Sequence, residues 1–104
     1  MLKITPVAIE IVRMLQPMIR DVARRDGNLA RQLDRASTSV VANTCEGNAH
    51  RGGARRHKYE IALGEARETV GWLAIAEAKG LAIRPEGIDQ KLDHVIGVLV
   101  KVTR

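Results

Sequence analysis

The sequence has very few aromatic residues and a single cysteine. Phe is absent from the 104 residues, and Trp and Tyr occur once each. Aliphatic residues and alanine therefore supply nearly all of the 45% hydrophobic content. Because an aromatic side chain buries a large area, a core without such residues depends on many small contributions. This favours packed helices, or burial shared with other copies of the chain. A lone cysteine excludes an internal disulfide and a cysteine-rich zinc site.

Long apolar runs and a leader-like segment are also missing. No run approaches the roughly 20 residues that span a bilayer. Residues 1–13 lack the basic, apolar and small-residue succession of a signal peptide. We therefore expect a cytoplasmic protein with no membrane partner. The length fits one domain, residues 1–104, and the hydrophobic content excludes a disordered chain.

Four stretches carry the three- and four-residue spacing of apolar residues that is typical of amphipathic helices. Residues 37–41 are rich in β-branched side chains, but the pattern on both sides is helical, so one helix is predicted there. Short connections make neighbouring helices antiparallel. The fold class is therefore all-α, an antiparallel up-down-up-down four-helix bundle. The helices are expected over about residues 4–22, 29–47, 54–79 and 88–102.

Proline and glycine mark the expected helix ends. Thr5 and Pro6 predict a capping hydroxyl followed by proline in the first helical position. Pro17 predicts a kink inside the first helix. The first helix is expected to stop at residues 26–28, and Pro85 to open the fourth.

Several helices are apolar on more than one face. The first has a second stripe at Ile9, Val12 and Ile19. The third has Trp72 and Ile75 beside its main face. A monomer would leave much of this surface in water, and exposed patches of that kind are typical of interfaces. We therefore favour self-association over the alternative, in which each helix simply has a wide apolar stripe that faces the core.

Basic residues are concentrated at one predicted turn. The net charge is +5, and residues 48–58 contain four basic and no acidic side chains. Arginine is suited to phosphate because its planar fork donates two parallel hydrogen bonds. A solvated loop is the alternative. The predicted nucleic-acid contacts here are Arg51, Arg55, Arg56 and Lys58.

A second basic set lies on the first two helices, although ordinary surface ion pairs are the simpler interpretation there. It adds four candidate contacts: Arg24, Arg25, Arg31 and Arg35. Asn43 and Glu46 lie three residues apart on one helix face and predict a polar row that fixes helix register or oligomer geometry. Gly47 and Trp72 complete the residues expected to be structural or interfacial.

A catalytic or metal site is weakly supported. His50, His57 and Glu46 could meet near the turn, but no third strong ligand or complete catalytic set accompanies them. Cys45 is expected to be half-buried and inert. We therefore predict no enzymatic activity, no metal and no cofactor.

Residues 32–47, QLDRASTSVVANTCEG, carry the most specific pattern. They resemble the four-helix-bundle family of proteins encoded in intervening sequences of bacterial large-subunit rRNA, whose signature reads like QLRRAxxSIPANIAEG. Val41 stands where that family usually has proline, and Glu65 where it has serine. The matching positions are Gln32, Leu33, Arg35, Ala36, Ser39, Ala42, Asn43, Glu46 and Gly47.

The resemblance implies an antiparallel four-helix bundle that assembles as a ring-like homopentamer. One branch of the family comprises the accessory variability determinants of diversity-generating retroelements, which bind nucleic acid and partner a reverse transcriptase. The predicted function is thus a non-enzymatic homopentamer that binds RNA or DNA backbone, with a reverse transcriptase as an implied partner. The alternative is a structural protein–protein adaptor with no nucleic-acid role.

Overall fold

The computed structural model describes residues 2–104, which form four helices. They are α1 (Thr5–Ala23), α2 (Gly27–Ala49), α3 (Gly52–Ala78) and α4 (Ile88–Thr103). Each helix packs against its sequence neighbours, and α4 returns to α1. The bundle measures 43 × 23 × 20 Å. Within residues 2–104, no helix is both long enough and apolar enough to cross a membrane.

Contacts between helix ends define the direction of the helices. The backbone N–H of Leu2, before α1, donates to the side chain of Asn48 at the end of α2. The guanidinium of Arg56, near the start of α3, donates to the carbonyl of Thr103 at the end of α4. Neighbouring helices therefore run antiparallel, and the predicted all-α four-helix bundle is confirmed.

The core is built from aliphatic side chains and alanine. Leu15, Leu33, Leu73 and Leu99 are fully buried, each from a different helix. Tyr59 is the buried aromatic residue within the described chain. The predicted core faces are buried except at a few edge positions. Val102 is exposed because it lies in the last turn of α4, at the end of the bundle.

The β-branched segment 37–41 is helical, as the flanking periodicity predicted. The Ser37 hydroxyl donates to the Leu33 carbonyl at 2.9 Å, and the Thr44 hydroxyl donates to the Val40 carbonyl at 2.7 Å. These bonds satisfy the buried hydroxyl groups inside their own helix. Tertiary packing of the core face thus outweighs the strand propensity of these residues.

The helix ends differ from the predicted ones in several places. Ile4, not Thr5, occupies the N-cap of α1, and no side chain caps that end. Asp26 does not stop α1, because α1 ends at Ala23; instead its carboxylate accepts from the Leu29 N–H at 3.0 Å and caps α2. Pro17 lies within α1, which continues through it to Ala23.

The connection between α3 and α4 covers residues 79–87, so Pro85 precedes α4 rather than opening it. Gly80 and Gly87 have positive φ angles of 68° and 87°, which glycine adopts without steric cost. Arg84 closes the connection by donating from Nε to Glu77 at 2.8 Å. This guanidinium holds the pKa of the Glu77 carboxyl below its usual value.

Candidate nucleic-acid interface

The predicted basic turn lies at one end of the bundle. There α1 begins, α2 ends, α3 begins and α4 ends, so side chains from all four helices meet. His50 and Arg51 alone connect α2 to α3, although a break over residues 47–53 was expected. Gly52 has a φ of +56°, which lets the chain reverse within this short connection. The first turn of α3 contains no acidic residue.

Arg55 joins the turn to the end of α2. Its Nε donates to the Gly47 carbonyl at 3.0 Å, and its Nη2 donates to the Asn48 carbonyl at 3.2 Å. The last carbonyls of a helix lack partners within the helix, and a basic side chain satisfies them favourably. Arg55, predicted only as a nucleic-acid contact, therefore also holds the turn in place. A neutral carbonyl orients the guanidinium but leaves its charge uncompensated.

Asn48 is the centre of a polar cluster that no spacing pattern in the sequence predicts. Its Oδ1 accepts from the Leu2 N–H at 3.1 Å and from the Tyr59 hydroxyl at 2.6 Å. Its Nδ2 donates to the Thr5 hydroxyl at 3.3 Å. One amide thus connects the start of α1, the end of α2 and the second turn of α3. The one sequence feature that could have indicated a structural role for Asn48 is its position directly after the signature segment 32–47.

Gly47 lies against the ring of Tyr59. A Cβ atom on this residue would be 2.5 Å from Cδ1 of the tyrosine and closer still to Cε1. Real Cβ atoms do not approach a ring so closely, so this position requires glycine. The contact lets α2 and α3 approach each other just before the basic turn.

The other basic residues of the turn differ in their partners. Lys58 forms an ion pair with Glu46, Nζ to Oε2 2.7 Å, and holds the pKa of that carboxyl below its usual value. Arg56 donates to the carbonyl of Thr103. Arg51 is exposed and makes no side-chain hydrogen bond within residues 2–104. Arg51, Arg55 and Arg56 therefore keep uncompensated charges, whereas Lys58 does not.

A cavity of about 390 Å³ opens beside this turn. Its basic lining comes from α3, and its apolar lining comes from the start of the chain and the last turn of α4. None of the lining residues carries a carboxylate side chain. The cavity is lined by Leu2, Gly52, Arg55, Arg56, Tyr59 and Val102.

The second predicted basic set does not join the first. Arg24 and Arg25 follow α1, at the opposite end of the bundle, where Arg25 donates to the Gly80 carbonyl at 2.5 Å. Arg31 is exposed in the second turn of α2, near the same end. Arg35 forms ion pairs with two carboxylates of α3, at 3.0 and 3.1 Å. The eight predicted contacts therefore form two separate groups along a 43 Å bundle.

The polar row of α2 is satisfied locally. Asn43 donates to the carbonyl and the hydroxyl of Ser39, both at 2.9 Å. Glu46 pairs with Lys58 and lies apart from Glu65 and Glu68. Those two carboxylates pair with Arg35, about three turns away along α2. The antiparallel register separates the groups.

Glu65 and Glu68 lie close together beside Arg35. Burial and the neighbouring Glu68 carboxyl raise the pKa of Glu65. Trp72, one turn further along α3, is half-buried, and its shielded indole N–H has no hydrogen-bond partner within the described chain. It borders a small apolar groove with Gly71 and Ile75.

The histidines and the cysteine of this region are exposed. Cys45, expected to be half-buried, is exposed because it lies on the outer face of α2, beside Pro6 of α1. His50 follows α2 and His57 lies in α3, both on the surface. Within residues 2–104, no group of three or more His, Cys, Asp or Glu side chains is placed to hold a metal ion.

An apolar groove of about 230 Å³ runs between α1 and α2, and no basic side chain lines it. Ile9 and Ile75, on different faces of the bundle, are 43% and 41% exposed. These fractions are large for isoleucine and leave apolar surface uncovered at two places. The groove is lined by Ile9, Val12, Thr38, Val41 and Ala42.

Comparison with known proteins agrees with this architecture. A family model described as 23S rRNA-intervening sequence protein matches residues 2–101. A crystal structure of a protein with unknown function from the S23 ribosomal protein family of Bacteroides thetaiotaomicron VPI-5482 is similar, with a TM-score of 0.85. The two chains are 21% identical, and the match covers 97% of this chain and 98% of the other. That identity supports a shared fold alone. No curated protein matches the sequence.

Proposed function

The chain belongs to the family of 23S rRNA-intervening sequence proteins, and from this premise we propose that it is a non-catalytic, nucleic-acid-binding protein. It holds the phosphate backbone of RNA or DNA at the end of the bundle formed by the α2–α3 turn. The observation that carries this proposal is the group of three guanidiniums there, Arg51, Arg55 and Arg56, without a carboxylate partner.

Charge compensation separates this end from several other basic positions. Arg35, Lys79 and Arg84 each lie within 3.2 Å of a carboxylate oxygen. Arg55 and Arg56 donate to neutral carbonyls, which hold the side chains without reducing their positive charge. Such pre-positioned guanidiniums suit phosphate oxygens. Phosphate contacts carry no base information, so we expect affinity that depends strongly on salt and weakly on sequence.

Removal of two of these charges is expected to weaken binding. Arg51→Gln combined with Arg56→Gln should raise the Kd at low salt about tenfold or more, because two phosphate contacts are lost. The slope of log Kd against log salt should fall by about 1.4 on a single strand and about 1.8 on a duplex. Fluorescence anisotropy with labelled RNA and DNA over a series of salt concentrations measures both quantities.

The opposite end of the bundle supplies a charge-matched control. Arg24→Gln combined with Arg31→Gln removes the same charge near the α1–α2 connection and should change the Kd much less. Arg55 is left unchanged in both variants, because its loss would also release the end of α2. Equal losses in the two double variants would contradict a site at the α2–α3 turn.

The second part of the proposal is that the protein forms a homopentamer. Uncovered apolar surface supports it: the α1–α2 groove and the α3 surface at Trp72 and Ile75 lie on different faces. Two different patches on one chain suit a head-to-tail interface, which closes into a ring.

Light scattering after size exclusion is expected to give one discrete oligomer with the mass of five chains. Ile75→Glu should shift the protein to smaller species, because a carboxylate in an apolar interface is costly to bury. Ile83→Glu is the matched control, since Ile83 is 87% exposed and should leave the mass unchanged. A wild-type monomer at all protein concentrations would overturn the oligomer.

A structural adaptor is the second candidate function, and the same uncovered grooves favour it. An oligomer that binds no nucleic acid at any salt concentration would support the adaptor against the nucleic-acid proposal. Partnership with a reverse transcriptase stays a prediction of the family resemblance, to be tested by co-purification of the two proteins.

A further inference from the structure

The cavity at the basic end is concave, and binding of a continuous nucleic-acid backbone does not require a concave site. An extended backbone can lie across a convex charged surface, whereas this cavity is concave and has a volume of about 390 Å³. That volume lies within the range of sites for small molecules. The cavity is therefore large enough for one nucleotide.

Two cationic side chains share the lining of this cavity. Arg55 is held by the carbonyls of Gly47 and Asn48, and Arg56 by the carbonyl of Thr103. Each guanidinium has five N–H donors, so both keep unused donors after these bonds. Two like charges at neighbouring positions repel each other, and no carboxylate of the lining reduces that repulsion. An anion between them removes the repulsion and uses the spare donors.

The rest of the lining is apolar or aromatic. Leu2 and Val102 line the same space as the two arginines. Tyr59 lines it too, and its hydroxyl donates to Asn48. A ligand that fits both parts has an anionic group next to an apolar or flat body. A nucleoside phosphate has this composition, whereas inorganic phosphate would leave the apolar part unused.

The number of charges favours a phosphate at the end of a strand. An internal phosphodiester carries one negative charge. It also has a nucleotide on each side, so the strand would have to leave the cavity in two directions. A terminal phosphomonoester carries a charge of about −1.5 to −2 at pH 7 and has three free oxygens. Its charge matches that of two guanidiniums, and the cavity has to accommodate only one nucleotide.

We propose that this cavity binds the phosphomonoester of a nucleotide, supplied by the phosphorylated end of a nucleic-acid strand. Arg55 and Arg56 hold the phosphate oxygens, and Leu2 and Val102 contact the attached nucleoside. The proposal rests on the proposed function, since it assigns a particular ligand to one part of the same basic end.

The test uses the full-length protein and three oligonucleotides of one sequence with an internal fluorophore. One has a 5′-phosphate, one has a 3′-phosphate, and one has hydroxyl groups at both ends. The form whose phosphate enters the cavity is expected to bind about tenfold more tightly than the hydroxyl form, since charge-assisted bonds to two guanidiniums are gained. A nucleoside 5′-monophosphate, titrated separately by calorimetry, distinguishes a free nucleotide from a strand end.

Two substitutions of Val102 test whether the preference for a phosphorylated end arises in this cavity. Val102→Glu places a carboxylate in the lining and is expected to abolish the preference for a phosphorylated end. Val102→Gln has the same size as Val102→Glu without the charge; it weakens the apolar contact for the phosphorylated and hydroxyl forms alike, so the ratio between their Kd values should be retained. Val102 is already 37% exposed in the last turn of α4, so both variants should fold. Loss of the preference in both variants alike would contradict the charge-based assignment.

The outcomes separate this proposal from the proposed function. Equal, salt-dependent binding of all three oligonucleotides would overturn recognition of a strand end and leave backbone binding intact. Absence of binding by every oligonucleotide would overturn the proposed function. In that case, calorimetric binding of the nucleoside monophosphate, lost in Val102→Glu, would still support a phosphomonoester site, and its absence would overturn the site too.

Discussion

Gly47→Ala is expected to lower the free energy of unfolding by about 3 kcal/mol, the upper end of the range for overpacking a core. The added methyl group would lie 2.5 Å from Cδ1 of Tyr59. The ring cannot move away easily, because it is 3% exposed and its hydroxyl is bonded to Asn48. Relief of the contact requires α2 and α3 to separate. Urea denaturation followed by circular dichroism measures the loss.

Gly64→Ala is the matched control for this prediction. Gly64 lies inside α3, and an added Cβ there meets no atom within 4 Å apart from its chain neighbours and the nearby backbone of its own helix. Alanine restricts the unfolded chain and favours the helix, so this variant should gain about 0.5–1 kcal/mol. If both variants were stabilised, the close packing of Tyr59 on Gly47 would be contradicted.

Leu73→Ala is expected to cost about 3–4 kcal/mol, within the range for truncation of a fully buried leucine. Leu73 is 0% exposed on the core face of α3. No phenylalanine is present to move into the space, and apart from Tyr59 and Met18 the buried core cluster consists of alanine and aliphatic side chains. Since domains are typically stable by only about 5–15 kcal/mol, this loss should lower the midpoint of urea denaturation substantially.

Ile83→Ala is the matched control, because it removes as many carbon atoms as Leu73→Ala but at an exposed position of the α3–α4 connection. Its effect should stay within about 0.5 kcal/mol. Both variants are compared with wild type at one protein concentration, because the stability of an oligomer depends on concentration. A cost below about 1 kcal/mol for Leu73→Ala would indicate that the core collapses into the space.

The helices and most of the core were predictable from the sequence because helical periodicity is local. Spacing of three and four residues places Leu33 and Val40 on one face, and the structure buries both. The ends of the helices were less predictable, since they depend on which side chain reaches an N–H group. Asp26 illustrates this: it caps α2 rather than ending α1.

The composition of the basic end was predictable, but the state of each charge was not. Arg35 meets Glu65 and Glu68 only because α2 and α3 pack antiparallel in one register. Lys58 meets Glu46 for the same reason. Ion pairs between residues far apart in the sequence leave no periodic signal.

Asn48 was missed because its role arises from three separate segments. Its partners, Leu2, Thr5 and Tyr59, lie on different helices or before them, and no spacing relates them. The exposure of Val102 was not predictable either, because periodicity along one helix does not show where the neighbouring helices end.

The sequence alone determined the helical class, the aliphatic core and the concentration of positive charge at one turn. Each of these depends on composition or on spacing within a single helix. Only the tertiary structure decided which cations are compensated, where the two basic groups lie, and that Arg55 and Arg56 share a cavity with Leu2 and Val102. Those properties depend on distances between segments, which are set by helix packing and are not encoded in any local pattern.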